Sequence, residues 1–99
     1  MATANALLAL VNADRERIAG LGRAAASALA VHQALQRQPM ATSAALVKAT
    51  RLTPATVNKS LAHLERLGIV VELTNRQRGR VFSYGRYVEE LAAGLEETA

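Results

Sequence analysis

Thr53-Pro-Ala-Thr-Val-Asn-Lys-Ser-Leu-Ala-His-Leu-Glu-Arg-Leu-Gly-Ile-Val-Val71 carries both ends of a helix and the start of something different. The Thr53 hydroxyl can accept from the free N–H groups of a starting helix, and Pro54 suits the first helical position, where no N–H is needed. Val57, Leu61, Leu64 and Leu67 then recur close to the 3.6-residue period. Gly68 stands where a left-handed residue commonly ends a helix, and the β-branched Ile69-Val-Val71 behind it changes the periodicity. The spacing predicts a helix from Pro54 to Leu67 followed at once by extended chain.

Working outward, Thr42-Ser43 is a capping pair ahead of Ala44, Ala45, Leu46, Val47 and Ala49, which predicts a short helix of about two turns. A short helix, a tight turn through Arg51-Leu52 and a capped second helix make a helix-turn-helix over residues 43–67. On the other side, Ile69–Thr74 and Arg80-Val-Phe-Ser-Tyr84 read as strands around Asn75-Arg-Gln-Arg-Gly79, a turn with no apolar residue. A β-hairpin over 69–84, directly behind the second helix, is a wing. From residue 86 to 97 the helical pattern returns, with Tyr87, Val88, Leu91, Ala92 and Leu95 on one face. Residues 4–38 read as helix, with apolar positions at Leu7, Val11, Ile18, Leu21, Ala25, Leu29 and Leu35 and Pro39 at the end. Gly20 and Gly22 interrupt this run, each costing up to ~1 kcal/mol against alanine. One long helix or two collinear ones are expected there. The expected fold is a single domain over 1–99, mainly α with a small β-hairpin. It is a winged helix-turn-helix with a long N-terminal helical segment (1–38) and a C-terminal helix (86–97).

Ninety-nine residues suit one domain with a modest core. Much of the 51% hydrophobic content is alanine, and the aromatics are only Phe82, Tyr84 and Tyr87, so the packing is thin. There is no cysteine, which excludes disulfides and thiolate metal sites. His32 and His63 have no carboxylate at a metal-ligand spacing, so neither metal nor cofactor is expected. No apolar run approaches the ~20 residues of a membrane span, and no signal-peptide pattern opens the sequence. A cytoplasmic protein without a membrane partner is the expectation. Charge is uneven: residues 51–88 hold seven basic groups against Glu65 and Glu72, a net of +5, whereas 89–99 hold four glutamates. That basic segment suits a polyanion.

In a helix-turn-helix the N-terminal part of the second helix meets base edges in the major groove. With Val57, Leu61 and Leu64 turned to the core, Thr53, Ala55, Thr56, Asn58, Lys59 and His63 are the outward candidates. Thr56 and Asn58 can donate and accept, Asn58 best to adenine, and Lys59 can reach guanine or phosphate. In the wing, Arg76, Arg78 and Arg80 alternate, and alternate residues of a hairpin share a face suited to phosphates or a minor groove. Arg80 has a second expected role, pairing with Glu72 across the hairpin. Enzyme readings find no support: there is no Gly-x-Ser-x-Gly elbow, no P-loop and no nucleophile beside either histidine.

Three segments together resemble the C-terminal region of Fic-family proteins, the group named for filamentation induced by cAMP. These are Leu21-Gly-Arg-Ala-Ala-Ala26, Leu52–Val71, and Glu72-Leu-Thr-Asn-Arg-Gln-Arg-Gly-Arg-Val-Phe-Ser-Tyr84 with Tyr87 and Leu91 following. The resemblance covers roughly residues 7–97; its helix-turn-helix part is generic and its wing part more specific. The AMP-transfer hallmark of that family, His-Pro-Phe-x-x-Gly-Asn-Gly-Arg, has no match here. The resemblance therefore implies the accessory domain alone, with no catalytic residue and a DNA-binding character. The leading expectation is a regulator-like module on double-stranded DNA. The alternative is a protein–protein interaction domain that orients a Fic core. It rests on a heptad-like seam of Leu7, Val11, Ile18, Leu21, Ala25 and Leu35 that would build a homodimer through the N-terminal helical segment, spoiled only at Asp14 and His32.

Overall fold

The computed structural model describes the backbone of residues 2–75 and 79–98 and the side chains of residues 4–75 and 79–95. Helix α1 (Ala2–Ala19) ends in a tightened turn, where the Leu21 N–H reaches the Ile18 carbonyl at 2.9 Å. Gly22 follows at φ +71°, a conformation that costs glycine nothing. After a 3-10 turn over Gly22–Ala24 comes α2 (Ala25–Arg37). The glycines fold the chain back instead of bending it: Arg15 of α1 and Gln36 of α2 line one shared groove, which collinear helices would hold far apart. The expected heptad seam is lost with this fold-back, because Ile18 and Leu35 are spent inside the domain's own core.

Helices α3 (Ser43–Thr50) and α4 (Pro54–Arg66) follow as the spacing predicts. The Thr42 hydroxyl accepts from the Ala45 N–H at 3.1 Å and so starts α3. The Thr53 hydroxyl accepts from the Thr56 N–H at 3.2 Å and starts α4. Gly68, at φ +74°, closes α4: its N–H reaches the Glu65 carbonyl (3.0 Å) and the Ile69 N–H reaches that of Leu64 (2.9 Å), the paired bonds of a Schellman motif. Arg17 of α1 also donates to the Leu67 carbonyl, placing a cation at the negative end of α4.

The wing is a three-stranded antiparallel sheet, not an isolated hairpin. Strands β2 (Val71–Glu72) and β3 (Val81–Ser83) form the hairpin, and β1 (Met40–Thr42), which the sequence did not announce, pairs along the other side of β3, giving the order β1-β3-β2. The hairpin strands are shorter than predicted because Ile69 and Val70 leave the α4 cap straight into the core. Ala41 and Phe82 pair in register and face inward. Helix α5 (Gly85–Thr98) then packs against α1. The core joins Val31 and Leu35 of α2, Leu46 of α3, and Val57, Leu61 and Leu64 of α4 to Ile69 and Phe82. The elements in this order make the chain a winged helix-turn-helix.

One polar chain runs through this apolar interior. Asp14, His32 and Tyr84 are at most 2% exposed. His32 Nε2–H donates to the Tyr84 hydroxyl (2.9 Å), whose own proton goes to Asp14 Oδ2 (2.6 Å). Asp14 also faces Arg17 at 3.7 Å. Tyr84 stacks on Tyr87 with ring centroids 5.1 Å apart. The network ties α1 and α2 to the junction between β3 and α5, the root of the wing.

Candidate nucleic-acid interface

The outward side of α4 is built by its own cap and by a bond from α3. Thr53, Ala55, Asn58 and Lys59 are exposed and Thr56 half-buried, whereas Val57, Leu61 and Leu64 are buried. The Thr53 hydroxyl donates to that of Thr56 at 2.9 Å, which leaves the Thr56 proton available for an outside acceptor. Ser43, at the start of α3, donates to Asn58 Oδ1 at 3.2 Å. This bond holds the Asn58 amide by its oxygen and leaves its NH2 group without an acceptor among the described residues. Lys59 forms no ion pair among the described residues. His63 sits a full turn further on, half-buried, and its Nδ1 accepts from Arg66 at 3.0 Å. It belongs to the far end of the helix, apart from the Thr53–Lys59 group.

Two cations outside the sequence-based site stand at the end of α3, ahead of that group in the chain. Lys48 lies exposed in the last turn of α3, and Arg51 occupies the turn into α4. Arg51 has φ 61° and ψ 18°, left-handed backbone that favours glycine. Its N–H closes α3 on the Val47 carbonyl at 2.8 Å. The sequence signal was available: an arginine where a helix C-terminus would ordinarily place glycine.

The wing's arginines divide. Arg76 and Arg78 lie outside the described residues. Arg80 Nη2 meets Glu72 Oε1 at 3.1 Å, the pairing expected across the hairpin, and Glu65 of α4 at 4.0 Å. Its guanidinium also lies 4.9 Å from the Phe82 ring centre. Arg80 thus fastens the wing to α4. Thr74 extends the same clasp, donating to Glu72 Oε2 (2.7 Å) and accepting from the Val81 N–H (3.1 Å).

No group of three or more metal-ligating side chains is assembled among the described residues. The Asp14–Tyr84–His32 chain has the residue types of a proton relay, but Asp14 and Tyr84 are buried and only the His32 ring borders a surface groove. Burial first, then the bond and charge of Asp14, push the Tyr84 hydroxyl well above the ordinary tyrosine range, so it holds its proton. No helix of the described residues is long and apolar enough to cross a membrane.

No family profile matches this chain, and no curated protein matches it. Among solved structures, NadR in complex with 4-hydroxyphenylacetate is 20% identical, with a TM-score of 0.48 over 95% of this chain and 73% of that one. An apo-form mutant of ZitR from Lactococcus lactis is 21% identical, with a TM-score of 0.46 over 99% of this chain and 76% of that one.

Proposed function

We propose that this chain is a DNA-binding module of the transcription-regulator kind, with α4 in the major groove. The observation that carries the reading is the outward group on α4. Thr56 has a hydroxyl proton to offer, Asn58 is fixed by Ser43, and Lys59 is exposed, as are Lys48 and Arg51 at the end of the preceding helix. Asn58 and Thr56 would read base edges, and the cations would set the register on the backbone. Arg76 and Arg78, within the most basic part of the sequence, would reach phosphates or the minor groove from the wing. On the resemblance of its wing residues, the module would serve as the accessory C-terminal domain of a Fic-type protein.

A second reading has its own observation. The pairing of α1 with α5 leaves Leu8 (61% exposed) and Leu91 (39%) outside the core, on the two helices that carry the termini. A partner protein or a second copy of the chain would cover such a face.

The test is fluorescence anisotropy of the whole chain on a random-sequence duplex across a salt series, with Arg76→Ala/Arg78→Ala alongside. Binding should weaken steeply as salt rises, and the double variant should lower the slope by about 2, about one for each phosphate no longer neutralised. No binding even at low salt would sink the DNA reading and leave the α1–α5 face as the interaction surface.

A further inference from the structure

The fold-back of α1 onto α2 leaves a groove of about 340 Å³ between them. Its apolar side is Leu29 with two alanines, and its rim carries Arg15 of α1 with Gln33 and Gln36 of α2. Arg15 is exposed and forms no ion pair among the described residues. His32 reaches the groove from the buried side. Its Nε2–H is committed to Tyr84, so in the neutral ring Nδ1 is a bare lone pair. Among the described residues only Gln36 Nε2 approaches that lone pair, at 3.4 Å, and the same amide reaches the His32 carbonyl at another 3.4 Å. Both distances lie beyond the usual range for N–H donors. The groove therefore offers one cation without a counter-ion among the described residues, loosely held amide donors, an apolar wall, and a ring nitrogen free to take a proton.

We propose that this groove binds a small organic monocarboxylate, with its carboxylate between Arg15 and the Gln33 and Gln36 amides, its hydrocarbon part on Leu29, and a solvent proton taken up at His32 Nδ1. The apolar wall selects this class: Leu29 with Ala26 and Ala30 gives a hydrocarbon part something to cover, which an inorganic phosphate would leave bare. Proton uptake follows from what faces His32. Burial is the main cause holding the ring below its ordinary value; Asp14 of α1 pulls it up, and Arg15 of α1 pushes it down. Tyr84, from the root of the wing, accepts from the ring and keeps its own proton on Asp14. A carboxylate on Arg15 offsets that repulsion and places a negative charge before Nδ1. The imidazolium still donates through Nε2, so occupancy tightens the Asp14–Tyr84–His32 chain at the root of the wing. The site stands whether or not the chain binds DNA.

An NMR titration of the full chain tests this, following the His32 ring nitrogens and the Leu29 and Gln36 signals. The probes are sodium isovalerate and sodium benzoate, with isovaleramide and sodium chloride as controls. Either acid should give saturable shifts with a dissociation constant on the order of 1 mM, as suits a small ligand in an open groove. Binding should be about fivefold tighter near pH 6 than near pH 8, because the complex takes up a proton. Arg15→Gln should abolish binding without moving the urea unfolding midpoint, since the side chain is exposed. The proposal is overturned if the amide or chloride shifts the same signals equally. It also fails if Arg15→Gln binds as tightly as the parent, or if affinity does not change with pH.

Discussion

Tyr84 gives and receives at one oxygen, so its hydroxyl cannot be removed without leaving two buried groups short. In Tyr84→Phe the His32 Nε2–H loses its acceptor and Asp14 loses its shortest donor. A stability loss of about 2–4 kcal/mol is expected from urea unfolding, because stranded buried polar groups cost their full desolvation. A loss below about 0.5 kcal/mol would show that the network does not hold the wing root. His32 makes a second prediction. Its pKa is lowered in the folded protein from an ordinary 6.5, so the unfolded chain binds the proton first as pH falls. The stability due to the neutral ring is fully present above about pH 6.5 and declines below it, by up to ~1.4 kcal/mol per pH unit until the folded-state value is reached. Unfolding midpoints between about pH 7.5 and pH 5.5 should show this slope, and His32→Gln should flatten it. Neither residue's bonds could be read locally. Asp14 and His32 looked like two flaws in an apolar seam, and only a tyrosine 70 residues from Asp14 makes them a pair.

At the scale of elements, α4 was legible because both of its ends are written into adjacent residues: Thr53 and Pro54 at one, Gly68 at the other. Strand β1 was not. Met40-Ala-Thr42 has no periodicity of its own and is extended because β3 offers it a ladder, which is a tertiary fact. The outward group on α4 followed from the helical period alone, but the Ser43 bond to Asn58 crosses two elements and had no sequence signal. Arg51 belongs to this scale, since it sets the turn between α3 and α4. Arg51→Gly removes a left-handed side-chain penalty of about 1–2 kcal/mol, partly offset by glycine's greater freedom in the unfolded chain. A gain of about 0.5–1 kcal/mol in urea unfolding is expected, with DNA binding weakened and the salt slope reduced by about one. Unchanged DNA binding would mean that this arginine touches no phosphate.

At the scale of the whole molecule, α4 is held by parts that come from elsewhere in the chain. Ser43 of α3 bonds Asn58 in its first half; Arg17 of α1 and, through Glu65, Arg80 of the wing meet its finish. The bond from Asp14 to Tyr84 has a consequence for the order of events during synthesis. The first helix has left the ribosome long before its hydroxyl partner is made, so its carboxylate must wait in water. Long-range closures of this kind slow folding. A nascent chain that stalls ahead of Tyr84 would hold α1 to α4 and still have no dry place for Asp14 and His32. The domain becomes committed only when the final strand emerges, and until then its earliest helix remains within reach of a chaperone or a protease.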